Sequence, residues 1–359
     1  MERQFWQFKF RFNQKVNLHI QELLHHHKAN FRILVSLKKI LIIQTAFIGD
    51  VILATPLIEN LKDKFPSVQI DFLLRKGNEA LLEDHPKLNR VLIWNKKEKY
   101  KSLFKIIKAV RKEKYDVVLC VQRFFNAGLI TALSGAKMKI GFDKNPLSFT
   151  FSKKVKHDLE SGKHETERNL ELIAQWIKEG KRRPRLYPLP KHFQKVKEFQ
   201  NTPYICMAPA SVWFTKQLAK EKWIELIKQM PQHQIYLLGA LGDENLCQEI
   251  IEASKHQKIR SLCGKLNLLE SAALMEQALM NYVNDSAPMH LASSMNANTT
   301  AFFCSTVKDF GFYPLADNSI VAEVEEKLNC RPCGLHGLKA CPQQHFNCAH
   351  HINTSKYLA

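Results

Sequence analysis

The sequence has no uninterrupted apolar run approaching the roughly 20 residues that cross a bilayer. Its amino terminus lacks the short apolar core and small-residue cleavage site of a secretory signal. Acidic residues are scarce, with 34 Asp and Glu against 53 Lys and Arg, a formal net charge of +19. The first two absences predict a cytoplasmic or peripheral protein. The third predicts an anionic partner: nucleic acid, a lipid surface or a phosphorylated substrate.

Two nucleotide-binding motifs are also missing. Neither G-x-G-x-x-G nor the Walker lysine motif occurs in the 359 residues, which argues against dinucleotide binding of the usual type and against P-loop chemistry. The chain does have 45% apolar residues, enough for a sizeable core, and it alternates short apolar runs with amphipathic segments. Runs such as Lys39–Gln44 are typical of buried parallel strands. The pattern predicts an α/β fold with helices on both faces of each sheet.

The alternation stops once and then restarts, which predicts two domains. A polar stretch with four prolines, Lys181–Pro203, has the composition of a linker. We therefore predict two Rossmann-like domains, residues 38–190 and 191–329, facing a cleft where a ligand binds beyond the carboxyl ends of the strands. A basic, aromatic extension (1–37) precedes them, suited either to a membrane interface or to docking on the protein itself. A tail rich in Cys and His (330–359) follows.

The first candidate site segment is Thr45–Asp50, between the first predicted strand and its helix. Gly49 permits a tight turn there, and Asp50 falls at the start of the helix. A carboxylate at this point either faces the cleft as a general base or simply caps the first helical turn.

Two further segments lie in the second half. Backbone N–H groups at a helix start within Asn284–His290, together with the Ser286 hydroxyl, suit a phosphate. The alternative is an ordinary capped helix with His290 packed against the sheet. Lys216, after the first strand of this half, either reaches a diphosphate or is solvated.

These segments carry a family resemblance. The stretches ILIIQTAFIGDVILATPLI (40–58), RFFNAGLITALSGAK (123–137) with IGF (140–142), the Lys216–Trp223 region and NDSAPMHLA (284–292) occur in the order of glycosyltransferase family nine. The chain resembles these bacterial lipopolysaccharide heptosyltransferases from about Lys38 to Cys348. The resemblance implies a GT-B architecture and inverting, metal-independent transfer. It further implies ADP-heptose as the nucleotide-sugar donor and a lipid-anchored core oligosaccharide as the acceptor.

The resemblance also implies roles for individual residues. Asp50 matches the general base, Lys216 the phosphate-contacting lysine, and His290 the histidine of the helix-start motif that holds the diphosphate. The remaining matched residues of that motif are Asp285, Ser286 and Ala287. The chain departs from the family at Ala287-Pro288, where glycine is common, and at Leu218-Ala219, where Trp-Pro is frequent. Glu244, with Asp243 as an equal contender, falls in the region expected to meet the ribose.

Acceptor contacts are predicted at two places. Gln122 and Arg123 end a first-domain strand that faces the cleft. His164 and Arg168, with Glu165 and Asn169, form a polar cluster suited to an anionic sugar or phosphate. A solvated helix face is the alternative for this second cluster.

The four cysteines of the tail read C-x2-C-x7-C-x6-C with histidines interleaved. Thiolates at such spacing predict a structural zinc site, with a disulfide or free thiols as alternatives. The residues are Cys330, Cys333, Cys341 and Cys348. No cofactor is expected for catalysis.

Two segments hold most of the net charge. Residues 1–39 have eight basic and two acidic residues, and residues 95–115 have nine and two. We therefore expect a first-domain surface that holds the enzyme against the anionic inner face of the cytoplasmic membrane. Three alternatives remain open: another nucleotide sugar, a nucleic-acid-binding protein, or a non-catalytic membrane scaffold. No nucleic-acid partner is expected, because no recognised motif for one is present.

Overall fold

The computed structural model of the protein describes residues 37–358, except for the side chain of Lys99. The predicted amino-terminal extension lies outside the described residues apart from Leu37. In the described part of the chain, no helix is long and apolar enough to cross a membrane.

The first domain is built on a parallel six-stranded sheet with the strand order β3-β2-β1-β4-β5-β6. Its order reverses between β1 and β4, which lie side by side. The strands are β1 (Lys39–Ile43), β2 (Gln69–Arg75), β3 (Arg90–Trp94), β4 (Val117–Cys120), β5 (Met138–Phe142) and β6 (Lys153–Val155).

The second domain repeats the same topology. Its parallel sheet has the order β12-β11-β10-β7-β8-β9, so the reversal falls between β7 and β10. Two doubly wound domains of this kind confirm the predicted Rossmann-like fold class. The strands are β7 (Tyr204–Ala208), β8 (Gln234–Leu237), β9 (Ile259–Ser261), β10 (Met280–Asn284), β11 (Thr299–Phe303) and β12 (Ser319–Glu323).

Helices connect the strands and cover both sheets. In the first domain they are α1 (Ile48–Lys64), α2 (Lys99–Lys112), α3 (Phe125–Leu133) and α4 (Glu165–Glu171). In the remainder of the described chain they are α5 (Pro190–Val196), α6 (Lys220–Lys228), α7 (Glu244–Ser254), α8 (Leu268–Glu276), α9 (Ala287–Ser294) and α10 (Asn347–His350).

One predicted loop is partly helical. The segment Lys181–Pro203 was expected to be a linker throughout, yet α5 forms inside it. Pro190 occupies the first helical turn, where its missing N–H costs no hydrogen bond. Val196 on the same helix is fully buried. Packing against the second domain therefore stabilises a helix that the polar composition of the segment does not indicate.

The cores explain why these runs form strands and helices. All of Ile40–Ile43 is inaccessible to solvent, as a central strand covered on both faces requires. Helix α1 is buried along its middle because it packs on its own sheet, on α4 and on α9 of the second domain. A single apolar cluster therefore runs from one domain into the other and holds the two sheets across the cleft.

Candidate active site

Four loops meet at the cleft, and each leaves a strand at a reversal point of its sheet. Thr45–Asp50 follows β1 and Gln122-Arg123 follows β4 in the first domain. Lys216 lies in the loop after β7, and Asp285 follows β10 in the second. Carboxyl-end crevices at such reversal points are where open α/β sheets bind ligands. The topology therefore brings the three sequence-predicted segments and the Gln122-Arg123 pair to one region.

Asp50 lies in the first turn of α1 rather than before it. One carboxylate oxygen, Oδ2, accepts a hydrogen bond from the backbone N–H of Phe47 at 3.1 Å, so the predicted capping contact exists. No side chain among residues 37–358 donates a hydrogen bond to this carboxylate. Burial and then the charge of Glu165 raise the pKa of Asp50 to about 6, although the Phe47 amide and Arg123 oppose the shift. A half-buried carboxylate with this pKa accepts a proton effectively near neutral pH.

Glu165 is the second carboxylate of the region. Its Oε2 accepts a hydrogen bond from Nε of Arg168 at 2.7 Å and lies 3.2 Å from Nε2 of His157. Burial opposes ionisation of this group, but His157 and Arg168 outweigh it, so the pKa of Glu165 lies below its usual range. Glu165 therefore stays ionised and keeps a negative charge near Asp50.

Gly49 and His290 bring the two domains into contact beside Asp50. A Cβ atom on Gly49 would lie only 2.9 Å from Cδ2 of His290, so a larger residue would push α1 and α9 apart. Burial, followed by the charge of Lys216, lowers the pKa of His290 to about 3, which makes the ring neutral. Its Nδ1 is buried without a hydrogen-bond partner in the described structure, an unusual state for a polar atom.

Lys216 and Asp285 form a buried ion pair, with Nζ 2.6 Å from Oδ2. Asp285 also accepts a hydrogen bond of 2.7 Å from the Thr306 hydroxyl. The ammonium group has three donors, and this carboxylate does not use them all. Lys216 is thus fixed in place, with N–H groups left for an anion.

Asn284 ties the two second-domain loops together. Its Oδ1 accepts from the backbone N–H of Leu218 at 2.8 Å, and its Nδ2 donates to the Pro209 carbonyl at 2.8 Å. The loop that carries Lys216 is therefore bound to the loop that carries Asp285. Sequence reasoning gave Asn284 no role, since an asparagine at a strand end does not indicate its partners.

The start of α9 has no side-chain cap. Ser286 precedes the helix in extended backbone, and its hydroxyl forms only a long hydrogen bond of 3.4 Å to the Asn284 carbonyl. The helix starts at Ala287, with Pro288 in its first turn, despite the missing family glycine. Uncapped N–H groups at a helix start carry a partial positive charge and are suited to a phosphate.

Gln122 and Arg123 occupy different environments. The amide oxygen of Gln122 is buried and accepts a hydrogen bond from the Thr45 hydroxyl, so this residue supports the loop that leads to Asp50. Arg123 is half-buried and influences the pKa of both Asp50 and His336. Its guanidinium has no hydrogen bond or ion pair with any residue of 37–358, which leaves its donors to a ligand.

Comparison with known proteins assigns the chain to a family. The model of glycosyltransferase family 9 (heptosyltransferase) matches residues 103–337. The chain belongs to glycosyltransferase family 9. Lipopolysaccharide heptosyltransferase 3 of Escherichia coli is 26% identical to it over 291 residues, covering 76% of this chain and 85% of the relative. The resemblance seen in the sequence and the prediction of a glycosyltransferase are both confirmed.

Solved structures of other enzymes share the fold of this family 9 glycosyltransferase. E. coli ADP-heptose LPS heptosyltransferase II superposes with a TM-score of 0.70 at 21% identity, covering 82% of this chain and 95% of that one. E. coli heptosyltransferase WaaC, solved with ADP-2-deoxy-2-fluoro heptose, gives 0.63 at 20% identity, covering 80% and 93%. The predicted GT-B architecture is confirmed.

The expected ribose contacts of this family 9 enzyme lie at the same edge of the second sheet. Asp243 accepts a hydrogen bond from the Ala240 amide at 2.7 Å, and Glu244 accepts one from the Ser261 hydroxyl at 2.5 Å. Each carboxylate therefore has one oxygen engaged within the protein. A ribose contact by either residue stays a prediction.

His164 and Arg168 differ from the expectation that they contact the acceptor. His164 Nε2 donates to the Tyr313 carbonyl at 2.9 Å, and Arg168 Nη2 donates to the Phe310 carbonyl at 2.8 Å. Both side chains are buried, and neither lies on the solvated helix face considered as the alternative. Because their polar atoms are used within the protein, these residues join the domains instead of presenting donors to a ligand.

The tail cysteines of this glycosyltransferase are free thiols that lie close together. Cys330 and Cys341 affect the pKa of Cys333, and burial raises the pKa of Cys348 to about 12. Within residues 37–358, however, no three His, Cys, Asp or Glu side chains are placed to hold a metal ion. The predicted zinc site thus lacks an assembled ligand set in this structure.

Proposed function

We propose that the enzyme transfers a heptose from ADP-heptose to a lipopolysaccharide core acceptor with inversion at the anomeric carbon. One observation carries the proposal. On one side of the cleft is a carboxylate that can accept a proton, and on the other is an anion site made by a lysine and a helix start. A sugar held between them would present its anomeric carbon to an acceptor hydroxyl beside Asp50. The relatives' printed names, lipopolysaccharide heptosyltransferases, support the choice of sugar and acceptor.

In the proposed step, the acceptor hydroxyl oxygen attacks the anomeric carbon as its proton passes to Asp50. The bond between that carbon and the phosphate oxygen breaks, and ADP leaves with the bonding electron pair. Because Oδ2 accepts from the Phe47 amide, Oδ1 is the oxygen to which we assign the proton. Attack opposite the leaving group inverts the configuration.

The departing ADP gains negative charge, which the protein must stabilise. Lys216 supplies a full positive charge, and the uncapped start of α9 supplies backbone N–H groups and a partial one. These groups supply the charge stabilisation that metal-independent transfer requires.

An acceptor anchored in lipid requires the enzyme to reach a membrane, and α2 offers a suitable surface. Its exposed face carries cations and no carboxylate, and none of the cations has an ion pair with any residue of 37–358. Tyr100 and Phe104 are 75% and 65% exposed among them. Cations interleaved with exposed aromatic rings suit an anionic membrane interface. The cations are Lys101, Lys105, Lys108, Arg111 and Lys112.

The donor is tested by thermal unfolding of the full-length protein with ADP, GDP, UDP or CDP. A nucleotide at 100 times its Kd stabilises the folded state by about 2.7 kcal/mol, a readily measured rise in Tm. We expect ADP to give the largest rise, and a larger rise with another diphosphate would assign another nucleotide sugar. Transfer from ADP-heptose should persist in EDTA, and its loss there would reject metal independence.

A further inference from the structure

The tail segment 331–338 returns to the second-domain site and is firmly attached there. Arg331 donates to the carbonyls of Cys304 and Thr306, each at 2.7 Å, and pairs with Glu323 at 2.6 Å. The Cys333 amide donates to the Ser305 carbonyl at 3.0 Å. The segment is therefore bound to the loop after β11, whose Thr306 also holds Asp285.

The same segment also binds the loop that carries Lys216. Thr215 donates its amide to the Leu338 carbonyl at 3.1 Å, and the Leu338 amide donates to the Thr215 hydroxyl at 2.8 Å. Gly337 has a φ of 76°, and a Cβ atom there would lie 2.7 Å from Cγ of Lys216. Only glycine permits this backbone to lie directly on the lysine side chain.

His336 is carried by this attachment into the cleft. The residue is exposed, and the charges of Lys216 in the second domain and of Arg123 in the first both act on its ring. Partial burial and then these two cations lower the pKa of His336, so the imidazole is neutral at pH 7. A neutral imidazole between two cations has no charge of its own to attract an anion, but it offers an N–H donor where an anion would be held.

We propose that His336 is a diphosphate-contacting residue of the donor site, supplied by the tail and held over Lys216 by Gly337. The proposal rests on the proposed nucleotide-sugar function. An ADP diphosphate at Lys216 lies within the reach of the exposed imidazole, which donates one hydrogen bond to a phosphate oxygen. The tail thereby completes the donor site from a part of the chain distant in sequence from Lys216 and Asp285.

The test compares full-length wild-type protein with His336→Ala, His336→Gln and a control, His351→Ala. His351 is a second tail histidine, which pairs with Glu326 at 2.6 Å on the surface. Calorimetric titration with ADP should show about tenfold weaker binding for His336→Ala, the usual loss for one hydrogen bond to a charged group. His336→Gln, which retains an N–H donor, should recover part of the affinity, and the control should bind as wild type does.

Adenosine, which has no phosphate, separates a direct contact from a structural one. Its affinity should stay within about twofold in His336→Ala, and an equal loss for ADP and adenosine would reject a diphosphate contact. If the wild-type protein binds ADP and His336→Ala binds it equally tightly, this inference alone is overturned. Wild-type protein that binds no nucleoside diphosphate overturns the proposed function and the inference with it.

Discussion

The two domains have the same strand order, yet their cleft edges are built differently. In the second domain the polar side chains hold one another: Lys216 pairs with Asp285, and Asn284 joins their two loops. In the first domain Arg123 has no hydrogen-bond or ion-pair partner within residues 37–358. The segments that follow β1 and β4 also carry exposed aromatic rings, with Phe47, Phe124 and Phe125 each more than half exposed.

The second-domain edge is therefore a site whose polar groups already hold one another. The first-domain edge is a surface whose cation has no hydrogen-bond or ion-pair partner within residues 37–358. Groups fixed before a ligand arrives lose little entropy on binding, which suits a small, defined ligand such as a nucleotide. Unpartnered cations and exposed aromatics suit a large ligand that brings its own charge, such as a core oligosaccharide at a lipid surface. One topology thus supports both an edge with fixed groups, which suits the proposed donor, and an open edge, which suits the proposed acceptor.

The largest expected effect is in the first domain, at Asp50. Asp50→Asn keeps an oxygen that can accept from the Phe47 amide, so α1 should start as before, but the side chain cannot take a proton. We expect kcat for transfer to fall by about 10² to 10⁴ with ADP affinity nearly unchanged. A release assay for ADP and titration calorimetry measure the two quantities. Undiminished transfer would remove Asp50 as the base.

A smaller loss is expected in the second domain, at Lys216. Lys216→Met should lower kcat/KM by about 10² to 10³ and weaken ADP binding, since it removes the charge opposite the leaving group. It also leaves Asp285 buried without its ion pair, which should lower Tm. The double variant Lys216→Met/Asp285→Asn should recover stability but not activity. Activity that returns together with Tm would mean that the lysine is structural.

The two halves also differ in how much of each can be predicted from the amino-acid sequence. The parallel strands, and the alternation of strands with helices along the chain, are predictable because apolar periodicity and turn chemistry are local signals. Asp50, Lys216 and Asp285 can be selected in the sequence as candidate site residues, because each lies in a segment that follows a strand. Such local signals indicate most of the proposed donor site, and the fold and the family assignment are confirmed.

Contacts between distant segments are not predictable in this way. His164 and Arg168 have the pattern of a polar patch, but both are buried against carbonyls more than 140 residues away. His336 is only one of several tail histidines in the sequence, because nothing local indicates that its loop lies on Lys216. Zinc at Cys330 and its partners stays a prediction, because a ligand set depends on how side chains converge and spacing alone does not fix that; within residues 37–358 no three potential ligands are assembled.

The open half should also account for membrane binding. Each lysine near an anionic surface contributes about 1 kcal/mol, so changing Lys101, Lys105 and Lys108 together to Gln should weaken partitioning about a hundredfold. Co-sedimentation with vesicles of phosphatidylglycerol and phosphatidylcholine measures it. The matched second-domain triple replaces Lys228, Lys255 and Lys327, all exposed, with the same charge change. Equal losses in both triples would show that net charge, and not the α2 face, causes binding.

The smallest effect concerns pH and the charged groups that act on Asp50 in the first domain. Because the base must be ionised, kcat/KM should rise with pH through about 6, the raised pKa of Asp50, and then level off. Arg123 lowers that pKa, so Arg123→Gln should move the inflection to higher pH, whatever it does to acceptor affinity. Lys154→Gln, on the edge strand β6, removes an exposed cation of the same domain and should leave the inflection in place. An inflection that moves down in Arg123→Gln, or not at all, would mean that the group titrating in catalysis is not Asp50.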